Sequence, residues 1–207
     1  IPDELWIVEP VSCAITGLDH CRIQPGHRVA LVGCGFMGLL ILQGLLTHPL
    51  SELVLLDINA ERLDLARRLG ADETHDLSQV DVADLSQQLK AREFDVVVDA
   101  SGTQAGLDLA SDIVKRGGTI NLFGWIKGQR ASFDPSKWHM GGFTVVNSSP
   151  SSRLRPTVPT AVELIHRGIF KLEPLVTHVV GLEEYPSLMQ RILAGDESYI
   201  KGVVRLD

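Results

Sequence analysis

Short apolar runs alternate along the chain with longer stretches in which apolar residues return every three or four positions. The runs Arg28 to Val32, Leu53 to Leu56, Phe94 to Asp99 and Thr119 to Phe123 read as buried strands. Helical patterns lie at Met37 to Leu46, Asn59 to Leu69, Val80 to Ala91 and Gln104 to Lys115. Pro25-Gly26 marks a turn before the first strand, and His48-Pro49 closes the first helix. Asn59 caps the second helix, whose apolar side is Leu63, Leu65, Ala66 and Leu69, and Gly70 ends it. Gly117-Gly118 stops the fourth helix. Glu73 to Asp76 reads as a short further strand. Strands alternating with helices predict an α/β fold with a parallel, doubly wound sheet. From Trp125 to Gly142 the pattern turns polar and irregular. Phe143 to Val146 reads as another strand, and Asn147 to Pro156 as a Ser/Pro/Arg loop. The tail predicts a helix (Val158 to Arg167), a strand (Leu175 to Val180), a helix (Glu183 to Ala194) and a last strand (Gly202 to Leu206).

Chemistry concentrates where the first strand meets the first helix. Gly33, Gly35 and Gly38 form a G-x-G-x-x-G directly after an apolar run. Gly33 permits a tight turn, Gly35 lets the backbone approach a pyrophosphate, and Gly38 lets the helix lie close to the sheet. The backbone N–H groups of Phe36, Met37 and Gly38 then stand at a helix start, where unpaired donors and the positive dipole end favour an anion. The second strand ends in Asp57, about 20 residues past Gly38, where a carboxylate can accept both ribose hydroxyls of adenosine. Its charge would repel a 2′-phosphate. Strand, glycine turn, helix, strand and acid occur in the order that a dinucleotide-binding unit requires, so NAD is the expected cofactor.

Composition narrows the picture. Hydrophobic content of 44% suits a sizeable core, and a net charge of −7 argues against nucleic acid. No apolar stretch is long and uninterrupted enough to span a bilayer. No charged leader precedes an apolar core, so no secretion signal is expected. Cys13, Cys21 and Cys34, without C-x-x-C spacing, read as reduced thiols of a cytoplasmic protein. Cys34, inside the glycine turn, reads as a small residue that fits there. The histidines are dispersed, and none is assigned to a metal. Trp138-His139-Met140 reads as packing in the irregular stretch.

The chain resembles the medium-chain dehydrogenase/reductase superfamily, and within it the zinc-dependent alcohol, polyol (sorbitol) and threonine dehydrogenases. Four stretches carry the resemblance: Glu9 to Leu18 (EPVSCAITGL), Pro25 to Gly38 (PGHRVALVGCGFMG), Asp57 to Asp72 (DINAERLDLARRLGAD) and Tyr199 to Leu206 (YIKGVVRL). The resemblance implies that Asp57 holds the adenosine ribose and that Arg62 lies along it. Ser101 and Gly102 would line the adenine side. The backbone of Phe123, Gly124 and Trp125 would touch the nicotinamide, with Ser148 and Ser149 as the next contact. Lys201 would reach the pyrophosphate. Glu9, held before Pro10 on a short rigid stretch, matches a glutamate found at the catalytic zinc in polyol dehydrogenases, as ligand or through water.

The family's β-rich catalytic domain, with its zinc-binding cysteine and His-Glu pair, has no counterpart in this sequence, which contains no His-Glu dipeptide. The expectation is therefore a Rossmann unit with a C-terminal strip returning to a mostly absent catalytic domain. Residues 1–26 would be a lead-in, 27–149 the dinucleotide-binding domain and 150–207 the returning segment. The implied activity is NAD-dependent oxidation of a secondary alcohol or polyol, or the reverse reduction, with zinc in the complete enzyme. The chain alone would be inactive, and no catalytic residue is assigned in it. A small-molecule alcohol or polyol would be the substrate. A homodimer or homotetramer would form through Phe143 to Val146, with no nucleic-acid or membrane partner. The alternatives are a zinc-independent NAD(P)H reductase of the same superfamily and a non-catalytic NAD-binding module. Asp57 disfavours the former's usual NADPH.

Overall fold

The computed structural model describes residues 1–124, 130–149 and 153–206. Six parallel strands form the main sheet: β1 (Arg28–Val32), β2 (Glu52–Asp57), β3 (Glu73–Asp76), β4 (Phe94–Asp99), β5 (Val114–Leu122) and β6 (Thr144–Asn147). Their spatial order is β3-β2-β1-β4-β5-β6. The order reverses between β1 and β4, and it is at such a switch point that doubly wound sheets open a crevice beyond the strand ends. β1, β2 and β4 are buried on both faces, which explains their nearly continuous apolar runs.

One face is covered by α1 (Val8–Cys21), α2 (Phe36–Leu45), α3 (Ala60–Leu69) and α7 (Val158–His166). The other carries α4 (Val82–Lys90), α5 (Gln104–Ile113) and α6 (Pro135–Gly141). α2 is apolar nearly all round because the sheet and α1 enclose it; Leu39, Leu40, Leu42 and Leu45 are fully buried. A Cβ on Gly44 would come within 2.3 Å of Leu18 Cδ1, so glycine there sets how closely α1 crosses α2. A second, two-stranded parallel sheet joins β7 (Val176–Gly181) to β8 (Lys201–Arg205), with α8 (Tyr185–Leu193) between them in sequence. Among the described residues no helix is long and apolar enough to cross a membrane.

Three local expectations are corrected. The helix over Gln104 to Lys115 stops at Ile113, and β5 begins at Val114. The β-branched Val114 pairs with Phe94, and the ladder resumes at Val96↔Thr119 after a bulge containing Gly117 at φ +72°. The stretch around Glu9-Pro10, expected as a short rigid segment, is the first turn of a 14-residue helix, α1; a proline is tolerated there because first-turn N–H groups lack intrahelical acceptors. The irregular stretch after Trp125 contains α6. Asp134 caps it by accepting from Ser136 N and Lys137 N, Pro135 starts it, and Gly142 at φ +63° ends it.

The amino-terminal ends of β2 and β3 are clamped from the turn after α4. Arg92 Nη1 reaches Glu52 Oε1 at 2.8 Å and Glu73 Oε2 at 2.6 Å, and Nη2 reaches Glu73 Oε1 at 3.0 Å. The hydrogen bond from Arg92 holds the Glu73 carboxyl below its ordinary value, with His75 adding to the effect. A carboxyl depressed by folding stabilises above its unfolded pKa, and that stabilisation disappears as pH falls through the folded pKa. Arg92→Met should therefore cost about 0.5 to 1 kcal/mol at pH 7, since the pair is part-exposed. The deficit should be smaller at about pH 3, because the stabilisation declines once pH falls below the ordinary carboxyl value of 4.5 toward the lower folded one. Urea midpoints at the two pH values measure it, and an equal deficit at both would assign the loss to packing of the arginine stem.

Candidate functional site

The G-x-G-x-x-G turn lies at the carboxyl end of β1. Gly33 has φ +101°, and a Cβ there would lie 2.8 Å from Ser101 N; only glycine satisfies both conditions. Gly38 lies against the same turn, its missing Cβ only 2.0 Å from Gly33 O. Gly35 differs from both. It is the N-cap of α2, with φ −66° and ψ −177°, and a Cβ on it would meet nothing within 4 Å. Protein packing therefore does not explain glycine at 35. The first-turn N–H groups of Phe36, Met37 and Gly38 have no intrahelical acceptor, and no side chain caps α2 to supply one.

A cleft of about 350 Å³ opens beside this turn. Gly33, Gly35, Asp57, Arg62 and Ser101 line it together. Asp57 ends β2 and organises the turn itself: Oδ2 accepts from Cys34 N at 2.5 Å and Oδ1 from Asn59 N at 2.8 Å. A carboxylate offers about four acceptor positions, so capacity for ligand hydroxyls remains. Arg62 stands in the first turn of α3, where Asn59 Oδ1 accepts from its N–H at 3.0 Å. Its Nη2 donates to Tyr199 O at 3.2 Å, while its Nε is buried with no partner among the described residues.

Across the cleft, Asp99 ends β4 and holds the next loop. Its Oδ1 accepts from Ser101 N at 2.9 Å and Ser101 Oγ at 2.7 Å, and burial pushes its carboxyl up. Ser101 Oγ also bonds Thr103 Oγ1, which in turn caps α5 by accepting from Gly106 N. The sequence reading missed Asp99, Thr103 and the apolar lining supplied by Ile58, Leu77, Val82 and Leu109. Ile58 carried the one available signal, an apolar residue directly after the strand-ending acid, and it is 72% exposed at the cleft.

Of the remaining expected residues, Gly102, Phe123, Gly124, Ser148 and Ser149 lie along the same sheet edge, outside that cleft. Gly124 abuts Gly102, where a Cβ would lie 2.3 Å from Gly102 N, and the N–H groups of Phe123 and Gly124 both donate to Asp99 O. Ser148 follows β6 and donates to Asn121 Oδ1 at 2.9 Å; Ser149 is next to it. Trp125 lies outside the described residues. Lys201 begins β8, and its Nζ sits 5.0 Å from the centre of the Phe36 ring, at the start of α2. Glu9 is not part of this edge cluster. Its Oε1 accepts from Cys13 Sγ at 3.0 Å, one turn along α1. Burial first, and that bond second, push the Cys13 thiol up to about 11. Among the described residues no three His, Cys, Asp or Glu side chains cluster as a metal site, so Glu9 and its neighbour Cys13 do not make a complete zinc site there.

A six-stranded parallel sheet of this order, with a glycine turn and an acid at the switch point, defines the doubly wound, Rossmann-like class of α/β domains. The family model of zinc-binding dehydrogenases matches residues 37–167, and the chain belongs to that family. It is 32% identical over 195 residues to D-arabinitol dehydrogenase 1 of Uromyces fabae, covering 92% of this chain and 55% of that protein. Among solved structures it is similar to an alcohol dehydrogenase of Escherichia coli CFT073 in complex with NADH. That match has a TM-score of 0.86 and 20% identity, over 100% of this chain and 61% of that one. It is also similar to a Sinorhizobium meliloti protein bound to NADP, with a TM-score of 0.80 and 23% identity, over 95% and 57%. The chain spans about half the length of the curated relatives it matches.

Proposed function

We propose that this chain holds NAD along the carboxyl edge of its sheet and forms the coenzyme-binding part of a zinc-type dehydrogenase acting on a secondary alcohol or polyol. The observation that carries the reading is Gly35, a glycine that no protein contact requires, at an uncapped helix start beside an acid-lined cleft. A pyrophosphate needs that bare approach and those N–H donors.

Phe36, Met37 and Gly38 would donate to the pyrophosphate, with Lys201 adding positive charge. Asp57 would accept the adenosine ribose hydroxyls, and the orphaned Nε–H of Arg62 makes that side chain a further candidate donor there. Ser101, Gly102, Leu77 and Val82 would bound the adenine. The strand ends at Phe123, Gly124 and Ser148, Ser149 would face the nicotinamide, with Trp125 as a further contact. NAD supplies the hydride acceptor for the carbinol carbon. Polyol chemistry is supported by the arabinitol-dehydrogenase relative, and zinc by the family. Glu9 would be this chain's contribution to the metal, as ligand or through water, completed by ligands outside the described residues. Residues 1–26 and 150–207 would connect to that remainder; a lone two-stranded sheet at β7 and β8, too small to be stable by itself, supports this. Pairing of two copies along β6 belongs to the same reading and is supported by its open edge, where Val145 is exposed. A cytoplasmic location is part of it too.

Calorimetric titration with NAD and NADP tests the reading. The parent should prefer NAD by about tenfold or more, and Asp57→Asn, which removes the charge facing a 2′-phosphate, should narrow that preference by about tenfold. Asparagine retains an acceptor for Cys34 N, so the turn is preserved better than with alanine. Equal affinity for both dinucleotides in the parent would remove Asp57 from the ribose site.

A further inference from the structure

Asn121 is a polar residue at the carboxyl end of β5, one position before the last, and it is completely buried. Asparagine is a poor strand residue, and a buried amide is costly unless both its ends are bonded. Here both are. Nδ2 donates to Gly17 O at 2.9 Å and lies 3.1 Å from Cys21 Sγ, while Oδ1 accepts from Ser148 Oγ at 2.9 Å. One side chain thus joins three segments: α1, β5 and the loop after β6.

The packing around this joint is tight. A Cβ on Gly17 would come within 2.8 Å of the Phe123 ring and 3.3 Å of Ser148 Oγ. The Phe123 backbone is held from the other side, because its N–H donates to Asp99 O at 3.0 Å. Phe123 is therefore fixed by β4 through its backbone and by α1 through its ring. Neither Phe123 nor Ser148 lines the cleft at Asp57, so this joint serves the other half of the sheet edge.

Resting on the dinucleotide reading above, we propose that Asn121 is a positioning residue for the nicotinamide half of the coenzyme. It sets the spacing of α1 against Phe123 and Ser148, so that the ring meets a wall already formed. Being fully buried, it acts through those residues and touches no ligand itself. Spending a buried amide in a central strand is then explained by directional bonds that valine or isoleucine could not make.

The test titrates the full 207-residue chain with NADH and with ADP-ribose, which lacks the nicotinamide ring. Asn121→Leu removes the joint, and Gly17→Ala pushes α1 off Phe123 while improving the helix. Urea midpoints report folding, and Gly17→Ala carries the test alone if Asn121→Leu does not fold. The parent should bind NADH more tightly than ADP-ribose. Both variants should weaken NADH by about tenfold and leave ADP-ribose within about twofold. Parallel losses for both ligands would reduce Asn121 to a stability element and overturn the inference. So would unchanged NADH binding, or a parent that binds both ligands equally, with the dinucleotide reading left standing. A parent that binds neither ligand would overturn that reading and this inference together.

Discussion

Gly35→Val is expected to weaken NAD binding by about a hundredfold or more while costing no more than about 1 kcal/mol of stability, the preference of a helix N-cap for glycine over valine. The two halves of that result come from one observation. Gly35 has φ −66° and ψ −177°, which any residue adopts, and its missing Cβ faces open space. No contact within the fold therefore opposes the side chain, and only the N-cap preference of α2 is lost. A pyrophosphate lying against the N–H groups of Phe36, Met37 and Gly38 would, because the valine methyl groups occupy the space it needs. Calorimetry with NAD and a thermal melt measure the two quantities side by side. Retained affinity would mean that the dinucleotide does not cross the start of α2.

The neighbouring Gly38→Ala should do the reverse and strike the fold first. Its Cβ would sit 2.0 Å from Gly33 O and 2.9 Å from Gly33 C, both backbone atoms in a turn that Asp57 also holds and Ser101 abuts. Relief requires moving α2 away from β1, and α2 is the most enclosed helix of its face. Overpacking of this kind costs about 3 kcal/mol. Urea denaturation should show that loss, and a deficit below about 1 kcal/mol would mean that the turn is softer than its contacts imply. Two glycines three positions apart in one motif would then be separated by role, one serving the ligand and the other the packing of helix on sheet.

What the sequence carried on its own was local and periodic. The unit from Arg28 to Asp57 was legible because apolar runs, a glycine turn and a strand-ending acid sit close together and each has a backbone reason. Asn59 as a cap and Gly70 as a terminator followed likewise, since such contacts span only a few residues. Family membership was legible for the same reason, through stretches such as Asp57 to Asp72. The failures were also local, where two signals competed. Val114 ended a helical period by pairing with Phe94 across β4, and Pro10 concealed a helix whose buried positions, Val11, Ala14, Ile15 and Leu18, follow helical spacing.

Tertiary structure alone decided the rest. Arg62 meets Tyr199 across 137 residues, Asn121 meets Gly17 across 104, and Lys201 comes to rest over Phe36. The apolar lining from Ile58, Leu77, Val82 and Leu109 exists only once β2, β3, α4 and α5 converge. A sequence fixes which residues can turn, cap or bury, because those are properties of neighbours along the chain. Which distant side chains satisfy one another is set by the packing of helices on the sheet, and those pairings shape the candidate site.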